Sequence, residues 1–275
     1  MAIKIYWTER TMKRNMNILK CFLLILTAIH PLISHAHSYC EFIQNLKDYQ
    51  DSEKIQLSGD CHVLDTNTFA IQTYLSLFDK IEVEEGFKIG VYYFDNFLDG
   101  NPYLYAINKN GKFKGENNEI TYEFLNQHES RAKNHIRPFD SEIGFLQYLF
   151  FTEMGEQFAL KWHANYNEKY VICSQDQIDE IINEFRKYKE HVETEEEEKE
   201  LPLFFADSTE LSNIKQINPT IKVELEKDFC TITWIENRTH RGIYRCKYMI
   251  RRQFPFKIKM IDEDQLLQIS IGFVY

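Results

Sequence analysis

The chain has 275 residues, of which 44% are hydrophobic, with only 10 Gly and 6 Pro. That balance excludes general disorder, and the length suits one large domain or two small ones with a real core. The net charge of −10 argues against general nucleic-acid binding.

Met12-Lys13-Arg14 opens a basic stretch that runs to Lys20. An apolar run from Cys21 to Ile29 follows, then His30-Pro31 and the triplet Ser34-His35-Ala36. Basic start, short apolar core and small residues at a cleavage triplet are the three parts of a secretory signal peptide. The expectation is a signal peptide over residues 1–36, with its true start at Met12. The apolar run is about half of the ~20 residues that span a bilayer, so a membrane anchor is disfavoured. His37 stands where a lipidated Cys would follow the cut, which disfavours a lipid anchor. The mature chain would then be 37–275, soluble and extracytoplasmic, either periplasmic or secreted. It holds 27 basic and 41 acidic residues, a charge of −14.

Ser38 and Glu41 stand at capping-box spacing before Phe42, Leu46 and Tyr49, which predicts a short opening helix. Ile55 and Leu57 suit a short strand. Asp65 or Thr66 is placed to cap a second helix, with Ile71, Tyr74, Leu75 and Phe78 on one face. From Lys88 the period becomes two. Strands are predicted over 88–94 and 103–108, joined by a turn at Asp99-Gly100-Asn101-Pro102. Asn110-Gly111 predicts a further hairpin.

Residues 141–164 read as one long helix capped by Asp140 or Ser141. Its stretch from Ile143 to Phe151 is apolar almost all round and should be buried. A strand at 170–173 follows. Ser174 and Gln177 then form a second capping box for a helix with its stripe on Ile178, Ile181, Ile182 and Phe185. The acidic run 193–202 is the expected internal boundary.

The C-terminal third alternates strictly in five segments. They run on Ile221, Val223 and Leu225; on Cys230, Ile232 and Trp234; and on Tyr244, Cys246, Tyr248 and Ile250. Two more run on Phe254, Phe256, Ile258 and Met260, and on Leu267, Ile269, Ile271 and Phe273. The fold class expected is α+β: N-terminal and central helices with a small β-hairpin sheet, then a five-stranded antiparallel meander packed on a buried helix.

Five cysteines remain after residue 36. A turn centred on Arg238 would set Cys230 opposite Cys246, at the ~4.4–6.8 Å Cα spacing a disulfide accepts. A cross-strand bridge between them is therefore expected. Cys40 with Cys61 is a weaker second pairing.

Chemistry is harder to read. On a continuous helix Glu153, Glu156 and His163 share a face, and two carboxylates with an imidazole could hold a divalent metal or exchange protons. The tighter spacings of metal-binding helices are missing, so a solvated face is the plainer reading. Cys173 with His163 is a remoter thiol-catalysis idea. Neither a Gly-rich phosphate loop nor a nucleophile elbow is present, and no cofactor is expected. Charge is distributed unevenly, because 237–261 contains Lys and Arg but neither Asp nor Glu. By parity Arg245, Lys247, Arg251, Lys257 and Lys259 share one strand face. Such a face can be simply solvated, with Glu224 and Glu226 on a nearby strand, or covered by the run Glu195 to Glu198 folding back; the functional expectation is a non-catalytic exported protein that uses it for an acidic glycan, a phosphorylated lipid head group or an acidic protein. The alternative is a metal-assisted hydrolase built on Glu153, Glu156 and His163.

Overall fold

The computed structural model describes residues 39–52, 61–64, 69–96, 99–111, 131–190, 213–239 and 241–268. Of 61–64, 95–96, 162–163 and 184–190 the backbone alone is described. The expected signal peptide, the acidic run 193–202 and the strand around Ile55 lie outside these residues. Contacts group the chain into two units, Met1–Glu41 and Phe42–Tyr275, and the second holds every sheet.

The fold is α+β. Helix α1 covers residues 39–52. Strand β1 (Cys61–Leu64), helix α2 (Ile71–Ser76), β2 (Ile81–Val83), β3 (Phe87–Asn96) and β4 (Asp99–Asn108) follow. After β5 (Ile136–Pro138) come helix α3 (Glu142–Met154) and β6 (Lys161–Trp162). A 3-10 turn at His163–Asn167 leads to β7 (Lys169–Ile172) and helix α4 (Gln175–Glu190). The chain ends in β8 (Lys222–Leu225), β9 (Phe229–Arg238), β10 (Gly242–Arg251) and β11 (Ile258–Gln268).

The first sheet has the order β1-β3-β4-β6, and β2 pairs with β5 separately. Asp99 to Pro102 is not the turn of the β3–β4 hairpin but the start of β4, where Gly100 opposes Asp95 and Pro102 opposes Tyr93. Gly100 is fitted to that place, since a Cβ there would lie 2.6 Å from the Tyr93 hydroxyl. The second sheet has the order β11-β10-β9-β7, with β8 also on β9, and every pairing is antiparallel. It has five strands, but not the five expected. The segments predicted over 254–260 and 267–273 are not two strands. Residues 258–268 run as the single strand β11, and 269–275 lie outside the described residues. The fifth strand is β7 instead.

The polar run Asp262-Glu263-Asp264-Gln265 resembles a turn. It is the outer edge of β11, where charged side chains both face water and block further pairing. Register shifts between β10 and β11 decide which face the charges of β11 take. Ile258 and Lys259 sit opposite Ile250 and Met249, but past Ile261 the partners of Asp262, Glu263 and Asp264 are Lys247, Cys246 and Arg245. The extra residue reverses which face each side chain takes.

Helix α3 is buried almost all round, as an all-apolar helix must be. The Ser141 side chain caps it by accepting from the Gly144 N–H at 3.1 Å. Aromatic side chains pack around it. Phe150 meets Phe42 at 5.6 Å between ring centroids and Trp234 of β9 at 5.0 Å, and Phe151 meets Phe78 at 5.4 Å. The opposite face of the second sheet is covered at one end by α4, whose Ile178, Ile181 and Ile182 join Ile235, Ile243 and Leu267. The Ser174–Gln177 capping box forms, with Gln177 accepting from the Cys173 and Ser174 N–H groups.

The long helix expected over 141–164 stops at Met154. Gly155 follows, and a Cβ there would collide with the Phe151 carbonyl oxygen. The freed helix carbonyls are satisfied by side chains from other elements. Gln50 donates to Met154 O at 2.9 Å and Tyr74 donates to Gly155 O at 2.7 Å. No helix among the described residues is long and apolar enough to cross a membrane.

Candidate functional site

Early termination of α3 decides what Glu153 and Glu156 do. Both line a cavity of about 780 Å³ at the helix end, together with Asp99, Asn101, Tyr103 and Glu168. Neither carboxylate is idle. Glu153 accepts from the Lys169 ammonium at 2.9 Å. Glu156 accepts from the Leu104 N–H at 2.7 Å and the Arg131 guanidinium at 2.8 Å. A third wall residue, Glu168, pairs with Lys47 at 2.7 Å. Burial pushes the Glu156 carboxyl above the usual carboxylate range, against the pull of Arg131 and the Leu104 N–H.

His163 falls in the 3-10 turn beyond β6, and its side chain lies outside the described ones. The single helical face proposed for Glu153, Glu156 and His163 does not exist, because the chain leaves the helix at Gly155. Among the described residues no group of three His, Cys, Asp or Glu is placed to hold a metal ion.

A second cavity, of about 320 Å³, adjoins the first and shares Thr152 and Glu153 with it. Its aromatic walls are Tyr148, Tyr248 and Phe256, with Lys133 at its border. The Tyr148 hydroxyl donates to Phe256 O at 3.1 Å. The hydroxyls of Thr152 and Tyr248 are buried and have no partner among the described residues.

The cysteine expectation is corrected. The β9–β10 turn is centred two residues later than Arg238, so Cys246 opposes Trp234 and Cys230 opposes Ile250. Four residues of strand separate the two positions, about 13 Å, beyond any disulfide's reach. Both are free buried thiols, and desolvation pushes each up to about 12.

That register creates a buried cluster that the sequence periodicity does not reveal. Glu236 is fully buried on the inner face of β9. It accepts from the Trp234 indole N–H at 2.8 Å and from Arg238 Nε at 2.7 Å. Arg238 also donates to Glu263 at 2.6 Å and lies over the Tyr244 ring. The i, i+2 spacing of Trp234, Glu236 and Arg238 was the available signal. The bulge at Ile261, which turns Glu263 inward, carried none.

The outer face of the same sheet carries the predicted basic residues. Arg245, Lys247 and Arg251 follow one another on β10, and Lys259 opposes Met249. The Arg251 N–H donates to Lys257 O at 3.1 Å, so those two are cross-strand neighbours. All but Lys247 are exposed. The bulge brings acids to this face as well. Asp264 lies 3.4 Å from Arg245, and Asp262 opposes Lys247. Among the described residues, the basic charge without a carboxylate opposite it is at the far end, where Arg251 and Lys259 oppose Phe229 and Met249.

No protein-family model, curated protein or solved structure matches the chain.

Proposed function

We propose that this is an exported, non-catalytic binding protein whose C-terminal sheet presents a docking face to an anionic partner. The observation that carries the reading is the adjacency of Arg251, Lys257 and Lys259 at the open end of the outer sheet face. Like charges on neighbouring strands repel and cost stability. They are tolerated where a partner of opposite sign offsets them, and an otherwise acidic chain leaves few other places for such a partner to dock. Export rests on the basic, apolar and cleavage segments of residues 12–36. The hydrolase alternative is weakened by the ion pairs that occupy Glu153 and Glu156.

The test is retention of the mature chain on an immobilised sulfated polysaccharide. Wild type should bind at low salt and elute as salt screens the charges. Lys257→Glu with Lys259→Glu should abolish retention. Arg245→Glu should matter less, since Asp264 already engages that side chain. Wild type that fails to bind, or a double variant that binds equally well, overturns the reading.

A further inference from the structure

The two adjoining cavities at the end of α3 stand apart from the basic face and do not depend on it. Three carboxylates of their walls are already paired, Glu153, Glu156 and Glu168 each with a cation, while Asp99 and Lys133 stand at the larger and the smaller cavity. A charged ligand that engaged one of these three carboxylates would have to break its pair. An uncharged ligand need not, since a carboxylate oxygen in an ion pair keeps lone pairs for a hydroxyl donor. Apolar faces are supplied by Phe94 and Tyr103 in the larger cavity and by Tyr148 and Phe256 in the smaller.

An independent observation points to a ligand. Buried polar groups in folded proteins nearly always have a hydrogen-bond partner, and an unpaired one costs stability. Tyr248 is 1% exposed, and its hydroxyl, like that of Thr152, is buried at the smaller cavity without a partner among the described residues. Each hydroxyl both donates and accepts, which is what a sugar hydroxyl requires. Alternating C–H and hydroxyl faces of a pyranose suit an aromatic wall beside such groups.

We infer that these cavities form a binding site for a neutral oligosaccharide, one ring in each cavity, with Thr152 and Glu153 at the junction. Thr152 and Tyr248 hydrogen-bond the sugar in the smaller cavity. The paired carboxylates accept from hydroxyls in the larger one.

Saturation-transfer NMR on the mature chain tests this, with cellobiose, maltose and N,N′-diacetylchitobiose at millimolar concentration and glucuronic acid as a charged control. At least one neutral disaccharide should show transfer and glucuronic acid should show none. Tyr248→Phe and Thr152→Val should each weaken binding about tenfold, the loss of one hydrogen bond. Both variants remove an unpaired buried hydroxyl, so their thermal stability without sugar should equal or exceed that of wild type. Three outcomes overturn the inference: no transfer from any neutral disaccharide, equal transfer in wild type and both variants, or equal binding of glucuronic acid. Equal transfer would mean that the two hydroxyls are satisfied by water alone. Retention on the sulfated matrix is read separately, so either result leaves the basic-face proposal standing or falling by itself.

Discussion

The carboxamide of Gln157 closes on the backbone of Lys169 with two hydrogen bonds. Its Nε2 donates to Lys169 O at 2.7 Å, and its Oε1 accepts from Lys169 N–H at 2.9 Å. Lys169 begins β7, an edge strand of the second sheet, so the side chain does there what a neighbouring strand would do. The same contact helps to draw the chain out of α3 and fixes the wall of the larger cavity, to which Lys169 and Gln157 both belong.

Gln157→Ala leaves both Lys169 backbone groups without this partner. The expected loss is about 1–3 kcal/mol in urea unfolding. Gln157→Glu keeps the acceptor and loses the donor, so it should fall between wild type and the alanine variant. Equal stability of all three would show that water replaces the carboxamide at no cost.

Glu236 is a buried charge held by Trp234 and Arg238. Glu236→Leu removes the acceptor from the buried Trp234 indole and the partly buried Arg238 guanidinium. It should destabilise by about 3 kcal/mol and change the Trp234 environment, read by a shift in intrinsic fluorescence. Arg238 keeps Glu263, so the loss should be smaller than for an arginine left wholly unpaired.

Cys230 and Cys246 are buried thiols with raised pKa. In the native protein both should resist alkylation at neutral pH, since little thiolate is present. In denaturant both should alkylate completely without prior reduction. A mass deficit of two hydrogens in the peptide pair containing them would contradict the β9–β10 register.

Two carboxylates move stability in opposite directions with pH. Hydrogen bonds from Arg137 and then His135 hold Glu84 below the usual range. Its contribution is complete above the unfolded-state value of about 4.3 and is lost as pH falls through the lower folded value. Glu156 is raised by burial, so the folded state binds its proton more tightly than the unfolded state does. That group favours folding increasingly as pH falls through the raised range. Urea unfolding between about pH 3 and 7 should therefore show a flatter rise of stability with pH in Glu84→Gln and a steeper one in Glu156→Gln.

Local periodicity was enough to place several elements. The apolar run from Ile143 to Phe151, the Ser174–Gln177 box and the alternation through Cys230 to Trp234 and Tyr244 to Ile250 each specify a helix or strand from neighbours in the chain. They also specify the class, because one apolar sheet face and one all-apolar helix have few places to go except against apolar partners. Parity alone placed Arg245, Lys247 and Arg251 on one strand face.

What tertiary structure decided lies where long-range partners override the local pattern. The pattern through Glu156 continues past Gly155 in sequence, but Gln50 and Tyr74 satisfy the Met154 and Gly155 carbonyls that more helix would have used, and Arg131 and the Leu104 N–H hold the Glu156 carboxylate away from a helical face. The β9–β10 register turned on a shift of two residues in the turn, which moved Cys230 away from Cys246. The bulge at Ile261 turned Asp262 and Asp264 toward the basic row and Glu263 toward Arg238. Side-chain period in a strand is two, so one inserted residue reverses the faces that follow until a second, at Leu266, restores them before Leu267, and no composition or spacing records either insertion.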